Sequence, residues 1–295
     1  MTLSLLKDRL REFAVAFDLR LGGYLDPLSD GPARLSDAVR YSVLAPGKRL
    51  RPYLVVRCCE LAGGSRERAW PVAAAMECVH AFSLVHDDLP AMDDDDLRRG
   101  RPTTHKQFDE ATAILAGDAL VVLAFELIAR HVGDAAIASR LVIELAQATG
   151  WAGMIGGQAA DLAGERQPAS LEKTRFIHER KTARLFSAAC RMGAMVGQGS
   201  SETVESLGRF GHGLGLSFQI ADDLLDVTAT AEQLGKSVGK DARDGKQTYP
   251  RCVGVEHSRE EATKASEAAI AALSSFGEAA DDLRESARFV VSRTF

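Results

Sequence analysis

Prolines are few in this chain, and their distribution limits what it can fold into. Nine occur among 295 residues, at positions 27, 32, 46, 52, 71, 90, 102, 168 and 250. Because proline interrupts helices, the long proline-free runs rich in Ala, Leu, Glu and Arg favour helix. No strand pattern stands out, and apolar residues in these runs recur at three- and four-residue spacing, as in Leu207, Phe210, Leu214 and Phe218. The sequence therefore predicts an all-α fold.

The domain organisation is predicted to be simple. No internal repeat, Gly/Ser linker or low-complexity tail divides the sequence, so residues 1–295 are expected to form a single domain. Loops are expected near residues 27–32, 90–102 and 235–245. Helix starts are predicted at Pro71 and at two capping boxes that begin at Thr104 and Ser258.

Charge and cysteine usage limit the partners and the location that can be expected. Lys and Arg number 36 against 41 Asp and Glu, and this net charge of −5 disfavours nucleic acid or an anionic membrane as the main partner. The five cysteines have neither Cys-x-x-Cys nor zinc-site spacing, which fits a reducing cytoplasm. The N-terminal residues lack the apolar core of a signal peptide, and the most apolar run, residues 119–125, is far shorter than the roughly 20 residues that span a bilayer. We therefore expect a cytoplasmic protein without integral membrane association.

The stretch HDDLPAMDDDDLRRG, residues 86–100, crowds aspartates on one short segment. Two carboxylates about 4 Å apart repel by roughly 4 kcal/mol at an effective dielectric near 20, so this crowding requires cations nearby. Pro90 should end the preceding helix, so that Asp93 folds back beside Asp87 and Asp88. The three carboxylates could then share hard cations such as Mg²⁺, which takes few protein ligands and completes its shell with water and phosphate oxygens.

An acidic run can also be a calcium loop or a solvated surface. The EF-hand pattern fails here, because Leu97 and Thr104 break it when the loop is started at Asp93. Most charge runs are solvated loops, and for residues 94–96 the sequence does not decide between that and a supporting role.

A second acidic cluster lies in FQIADDLLDV, residues 218–227. On an α-helix Asp222, Asp223 and Asp226 fall within an arc of about 100°, and Gln219 lies inside the same arc. Glycines at positions 211 and 215 continue this stripe, so a cavity could lie below the carboxylates. The alternative is a salt-bridged helix surface.

Basic residues follow both acidic clusters and also occur in PGKRLRP, residues 46–52. They are Arg98, Arg99, Lys236, Lys240, Lys48, Arg49 and Arg51. Lys and Arg side chains are suited to binding phosphate. We therefore expect one pocket lined by charges of both signs, in which metal bridges the acids to one diphosphate and basic side chains hold another.

Eight motifs follow one another along nearly the whole chain: GKRLRP, HAFSLVHDDLPAMDDDDLRRG, LAGDAL, GGQAADL, HERKTARLF, FQIADDLLD, LGKSVGKD and GKQTYP. This series resembles the trans-polyprenyl diphosphate synthase family, and within it the short-chain bacterial farnesyl diphosphate synthases. The resemblance implies a bundle of mostly antiparallel helices around a deep central cavity, with the two aspartate motifs facing each other at its mouth. It also implies a homodimer.

The resemblance also implies roles for individual residues. Two Mg²⁺ ions would be held by the first motif and a third by the second, and Mn²⁺ could replace them. The carboxylates concerned are Asp87, Asp88, Asp93 and Asp222, supported by Asp223 and Asp226. The allylic diphosphate would be held by Arg98, Lys181 and Lys236. Isopentenyl diphosphate would be held by Lys48, Arg51, His80 and Arg99. Carbonyl dipoles near the reacting cation would come from Thr182 and Gln219.

The implied activity is head-to-tail condensation of isopentenyl diphosphate with dimethylallyl and geranyl diphosphate, by ionisation, condensation and elimination, to give farnesyl diphosphate. In the family, an aromatic residue five positions before the first motif, here Phe82 beside Ser83, accompanies fifteen-carbon products when the motif also carries a two-residue insertion. Geranylgeranyl or geranyl diphosphate is the alternative product. A class I terpene cyclase is disfavoured, because it usually has a different second metal motif and needs no isopentenyl site. A non-catalytic synthase subunit would be expected to lack one acidic motif.

Overall fold

The computed structural model describes residues 3–26, 30–228 and 245–292, and in these ranges the predicted all-α fold is confirmed. The helices are α1 (Leu3–Tyr24), α2 (Ala33–Val43), α3 (Leu50–Leu61), α4 (Arg66–Asp87), α5 (Thr104–Gln107), α6 (Glu110–His131), α7 (Ala135–Thr149), α8 (Met154–Gly164), α9 (Leu171–Ile177), α10 (Arg184–Val196), α11 (Ser201–Thr228), α12 (Tyr249–Val253), α13 (Val255–Ala271) and α14 (Asp281–Ser292). A π-helical turn (His178–Ala183) joins α9 to α10, and a 3₁₀ segment (Ser274–Ala280) precedes α14. The described strands, β1 (Leu97–Arg98) and β2 (Arg101–Pro102), form one short antiparallel hairpin.

Helix α4 is the central helix of the bundle. It packs against α6, α3 and α10, and every residue from Ala69 to Val79 is buried. A helix that is apolar on all sides is stable only where neighbours cover it completely. The second long core helix, α11, packs on α10 and α13. The first aspartate motif thus lies at the C-terminal end of α4, and the second lies in the last two turns of α11.

The predicted start at Thr104 agrees with the start of α5, although no capping box forms there, and the starts predicted at Pro71 and Ser258 are wrong. Pro71 lies inside α4, which begins five residues earlier after the N-cap residue Ser65. Thr104 follows the N-cap residue Thr103, whose hydroxyl donates to the carbonyl oxygen of residue 95 and makes no cap bond. Ser258 lies in the first turn of α13, where its hydroxyl donates to the carbonyl oxygen of residue 254. The hydroxyl groups of Thr103 and Ser258 donate to carbonyl oxygens and do not cap a helix. A Ser or Thr residue can make either kind of bond, so the sequence pattern alone does not tell the two cases apart.

The glycine stripe on α11 serves close helix packing. A Cβ atom on Gly215 would lie 2.6 Å from the Cα of Ala183, and one on Gly211 would lie 2.6 Å from the carbonyl oxygen of Phe186. Among the described residues, therefore, the stripe does not form the cavity that the sequence suggested, and it lets α11 approach the π-helical turn and α10.

Of the helices in the described ranges, α6 (Glu110–His131) is long and apolar enough to cross a membrane by length and composition. Half of its apolar window is buried inside the fold, where residues such as Leu120, Ala124 and Ile128 are fully covered. The helix packs on α4 and α2, as core helices do. The absence of integral membrane association stays a prediction.

Candidate active site

The loop after α4 folds the first acidic motif back on itself, as predicted. The backbone N–H of Asp93 donates to the carbonyl oxygen of Asp87 at 2.8 Å, and that of Asp95 donates to the carbonyl oxygen of Asp88 at 3.2 Å. These bonds use carbonyl groups that the end of a helix leaves unpaired. Asp93 is thereby returned to the end of the helix that carries Asp87.

Cations from three separate segments surround this motif. The Arg98 guanidinium on β1 lies 2.6 Å from the Asp88 carboxylate, and the Lys246 ammonium lies 2.9 Å from Asp93 Oδ1. Burial raises the pKa of Asp87 to about 6; the nearby Lys181 ammonium opposes this rise and the Asp93 carboxylate adds to it. The predicted repulsion among the aspartates is thus offset by Arg98 of the same stretch and by Lys181 and Lys246 from distant parts of the sequence.

Lys181 is fixed by a carboxylate on α8. Its Nζ lies 2.6 Å from Asp161 Oδ2, and Asp161 is buried. A Cβ on Gly157 would lie 2.2 Å from the backbone nitrogen of Lys181, so only glycine allows α8 and the π-helical turn to come this close. The sequence pointed to neither Asp161 nor Lys246 as a site residue, although each lies in a quoted motif, GGQAADL and GKQTYP.

The second acidic motif divides its carboxylates between two environments. Asp223 is buried, accepts the Tyr249 N–H at 2.9 Å and the Gln219 Nε2 at 3.2 Å, and lies 3.3 Å from His178 Nε2. Asp222 is less buried and is close enough to the Arg51 guanidinium to affect its pKa. This geometry suits a supporting role for Asp223 and leaves Asp222 on the side of the basic residues.

A cluster of basic groups lies where isopentenyl diphosphate was predicted to bind. Arg51 Nη1 lies 3.4 Å from His80 Nε2, and its guanidinium stacks 4.4 Å from the centre of the Phe186 ring. Burial lowers the pKa of Arg51 to about 10, which leaves it charged at neutral pH. Burial and then the nearby Arg51 and Arg99 guanidinium groups hold the pKa of His80 well below its usual range, so its imidazole is neutral. Arg51 Nε is buried without a hydrogen-bond partner among the described residues.

Two basic residues of the PGKRLRP stretch behave differently from Arg51. Arg49 is buried and pairs with Glu77 at 2.5 Å and Asp18 at 2.8 Å, so its charge stabilises the packing of α1, α3 and α4 and is not available for phosphate. The inclusion of Arg49 in the phosphate cluster is therefore wrong. Lys48 is exposed beside it.

Some of the predicted residues line two small cavities, of which the first is mainly polar and the second mainly apolar. One, of about 70 Å³, is lined by Asp161, His178, Lys181, Thr182, Gln219, Asp223, Lys246 and Gln247 among others. Thr182 Oγ1 donates to Gln219 Oε1 across it at 2.7 Å. The second, of about 50 Å³, lies between α2, α4 and the β-hairpin and is lined by His80, Asp88, Arg98 and Arg99 among others. Lys236 lies outside the described residues.

Phe82 and Ser83 face different neighbours. Phe82 is buried with its ring edge-on to His86 at 5.0 Å, and His86 in turn contacts the carbonyl oxygen of Ile114 on α6. Ser83 is partly exposed one turn below Asp87, and its hydroxyl donates to the carbonyl oxygen of His80. Phe82 thus belongs to the contact between α4 and α6, and Ser83 lies on the face that leads to the acidic motif.

The donor set of the site suits a hard divalent cation. The aspartates of both motifs supply only carboxylate oxygens, which Mg²⁺ prefers over nitrogen or sulfur. No three acidic, His or Cys side chains of the described ranges are already arranged to hold one ion. Sparse protein ligation of this kind leaves coordination positions for phosphate oxygens and water.

Known proteins resemble this chain closely. A family model described as polyprenyl synthetase matches residues 32–285. Geranylgeranyl pyrophosphate synthase 11, chloroplastic, of Arabidopsis thaliana is 49% identical over 245 residues, which cover 81% of this chain and 68% of that protein.

Solved structures show the same fold. An FPP/GFPP synthase from Zymomonas mobilis, in an apo crystal structure, matches with a TM-score of 0.86 and 40% identity over 98% of this chain and 100% of that chain. Geranylgeranyl pyrophosphate synthetase from Pyrococcus horikoshii matches with a TM-score of 0.87 and 32% identity over 98% of each chain.

Proposed function

Since the chain belongs to the polyprenyl synthetase family, we propose that this prenyltransferase joins isopentenyl diphosphate head-to-tail to an allylic diphosphate. One observation carries the proposal: Lys246, which pairs with Asp93 of the first aspartate motif, lines one polar cavity together with Lys181 and with Asp223 of the second motif. A terpene cyclase does not bind isopentenyl diphosphate, so it would not need the separate basic cluster around Arg51 and His80.

Two groups of residues in the site would each bind one of the two diphosphates. Lys181 and Arg98 hold the allylic diphosphate as it departs, while Arg51, Arg99 and neutral His80 hold isopentenyl diphosphate. Mg²⁺ ions, bound by the aspartates, would neutralise charge that develops on the leaving group. We assign the paired Thr182 and Gln219 side chains to the region of the developing allylic cation, where their dipoles would stabilise positive charge. The double bond of isopentenyl diphosphate attacks this cation, and the new carbocation loses a proton to the released diphosphate to give the longer allylic diphosphate. Fixed donors and dipoles of this kind stabilise the transition state without reorganising during the reaction.

The proposed product is geranylgeranyl diphosphate. The similarity to geranylgeranyl pyrophosphate synthases of Arabidopsis and Pyrococcus supports this product over the farnesyl diphosphate expected from the sequence. Farnesyl diphosphate is the second candidate, because the chain has an aromatic residue, Phe82, five positions before the first motif, as the resemblance to farnesyl diphosphate synthases requires; this side chain is buried where α4 packs on α6.

A one-pot assay tests both the proposed reaction and the proposed chain length of the product. The purified protein is incubated with labelled isopentenyl diphosphate, Mg²⁺ and each allylic primer in turn, and the dephosphorylated products are separated by chromatography. We expect elongated linear prenyl products that disappear when EDTA removes the metal. Cyclic hydrocarbons, or no product from any primer, would overturn the proposed reaction.

The same chromatogram decides the chain length. Twenty-carbon product in the parent supports the geranylgeranyl proposal, and product that stops at fifteen carbons supports the second candidate. In the latter case Phe82→Ala should lengthen the product, and the control Ser83→Ala, which removes one oxygen, should lengthen it little.

The expected partners and location also stay proposals. We propose that the enzyme works as a homodimer in the cytoplasm, on isopentenyl and allylic diphosphates. Exposed apolar side chains on α6, among them Leu115 and Val122, support a protein contact there.

A further inference from the structure

Arg49 directly precedes α3 in the PGKRLRP stretch and has an uncommon backbone conformation. Its φ of 47° lies in the left-handed region, which few residues other than glycine adopt. Its buried guanidinium bonds to three partners at once: Glu77 on α4 at 2.5 Å, Asp18 on α1 at 2.8 Å and the carbonyl oxygen of Ala45 at 2.9 Å. A strained backbone persists only where its surroundings hold it, so these bonds fix the turn that leads into α3.

The same turn also contacts a residue that was predicted to bind isopentenyl diphosphate. Arg99 Nη1 donates to the carbonyl oxygen of Pro46 at 2.6 Å, and a Cβ on Gly47 would overlap the Arg99 guanidinium, so this close approach requires glycine. Helix α3 begins directly after Arg49 and carries Arg51 in its first turn. The turn therefore places the anchored Arg49 between the two arginines assigned to isopentenyl diphosphate.

Glu77 brings a negative charge into this group of arginines. Burial lowers the pKa of Arg51 and that of Arg99, and the Glu77 carboxylate lies close enough to oppose the lowering in each. The side chain of Glu77 is 5% exposed, and it lines the cavity of about 50 Å³ together with Arg49, Arg99 and His80. Little water screens charges in such a place, so a carboxylate without its own cation would pair with the next cation it can reach.

We propose that Arg49 is a positioning residue for isopentenyl diphosphate, because it occupies the Glu77 carboxylate and so keeps Arg51 and Arg99 available for the diphosphate. The inference rests on the proposed function, since these two arginines are the ones assigned to that substrate. Without the Arg49 cation, the buried Glu77 carboxylate would compete with the substrate for them. Arg49 thus acts on the affinity for one of the two substrates without contacting it.

The test replaces Arg49 and Glu77 singly and together. Binding of isopentenyl diphosphate is measured by calorimetry without Mg²⁺ or allylic substrate, and kcat and the KM of both substrates are measured with Mg²⁺. We expect Arg49→Met to weaken isopentenyl diphosphate binding and to raise its KM about tenfold or more, with the KM for geranyl diphosphate within about twofold. Adding Glu77→Gln to Arg49→Met should recover most of this loss, because the competing carboxylate is gone. Glu77→Gln alone should bind isopentenyl diphosphate at least as tightly as the parent does.

Arg191→Met is the matched control. Arg191 on α10 also bonds to two carboxylates, Glu144 on α7 at 3.0 Å and Glu205 on α11 at 2.8 Å, but it lines neither of the two cavities described above. This variant should lower the urea midpoint and leave both KM values within about twofold of the parent. Arg49→Lys, which keeps a cation beside Glu77, should raise the KM for isopentenyl diphosphate less than Arg49→Met does.

The outcomes separate this inference from the proposed function. If the parent condenses nothing, the proposed function fails, whatever the variants do. If the parent is active and Arg49→Met stays within about twofold in affinity for isopentenyl diphosphate, the inference is overturned. An equal rise of both KM values would show a general loss of structure, and a double variant that binds no better than Arg49→Met would show that Glu77 does not compete with the substrate; either result overturns the inference as well. Circular dichroism checks folding, and Arg49→Gln, which also removes the charge, replaces Arg49→Met if that variant does not fold.

Discussion

The charge state of Lys181 depends on its carboxylate neighbours. Burial alone would lower the pKa of its ammonium group, but the Asp161 and Asp87 carboxylates outweigh burial and raise that pKa. Lys181 therefore stays charged inside a largely buried site, as its proposed role in holding the leaving diphosphate requires. Asp161 acts here through Lys181, since the carboxylate bonds to the ammonium group at 2.6 Å.

Asp109 allows a test of charge at a single residue. This aspartate is the N-cap of α6, and it accepts the Thr112 N–H at 2.7 Å and bonds to Arg34 at 2.6 Å. The backbone hydrogen bond, followed by the Arg34 guanidinium, lowers the pKa of Asp109 to about 2. A folded-state pKa below the unfolded value contributes stability that is present above the unfolded pKa and lost as pH falls through the folded one.

We expect Asp109→Asn to lower the urea midpoint at pH 7 and to approach the parent as the pH falls to 2. Asparagine keeps an oxygen acceptor for the Thr112 N–H but lacks the charge, so the difference should shrink steadily between pH 4 and pH 2. Asp109→Ala, which also removes the acceptor, should remain less stable than the parent at both pH values. A midpoint difference between Asp109→Asn and the parent that does not change with pH would contradict this account.

The residue types of the site could be predicted from sequence better than their partners. Pro90 and the fold-back of Asp93 follow from local rules, because they depend on a few neighbouring residues. The burial of Arg49 against Glu77 and the pairing of Lys246 with Asp93 join residues 28 and 153 positions apart. No local pattern carries such information, so the sequence wrongly gave Arg49 a phosphate-binding role and gave Lys246 no role.

At the scale of single elements, the contact between α8 and the π-helical turn sets the position of Lys181. π-helical turns are rare, and they frequently occur at functional sites. This one (His178–Ala183) carries both Lys181 and Thr182 into the cavity. Gly157 on α8 lies against its backbone, with room for no side chain.

We therefore expect Gly157→Ala to push the two elements apart. Overpacking of this kind typically costs about 1–3 kcal/mol, and the shift should lower kcat because Lys181 moves away from Asp161. Gly22→Ala on α1 is the control, since nothing lies within 4 Å of a Cβ there and alanine favours helix. Urea unfolding and steady-state kinetics measure the two effects; an unchanged kcat in Gly157→Ala would show that this contact does not position Lys181.

Helix existence was easier to predict than helix starts. The long proline-free runs correspond to α6, α11 and α13, whose periodic apolar faces are buried in the described fold. The start of α4 was missed because proline was expected in the first turn, whereas packing of the helix on all sides tolerates Pro71 one turn further in.

Two groups of apolar side chains are exposed on the outer surface of the molecule, one on α6 and one on α1. Ile114, Leu115 and Val122 on α6 are 44%, 55% and 65% exposed, and they share one face of the helix. Exposed apolar clusters on a helix that is otherwise part of the core commonly mark a protein interface. Val15 and Leu19 on α1 form a second exposed apolar pair, at 62% and 77%.

The homodimer proposal assigns the α6 face, and not the α1 pair, to the contact between two copies. We expect the parent to sediment as a dimer, and Leu115→Glu with Val122→Glu to sediment as a monomer, because charged groups would have to be buried at the contact. Val15→Glu with Leu19→Glu makes the same chemical change on α1 and should leave the dimer intact. Analytical ultracentrifugation at several protein concentrations measures these states. A parent that is monomeric throughout, or a dimer broken only by the α1 pair, would contradict the assignment, since the buried face would then lie elsewhere.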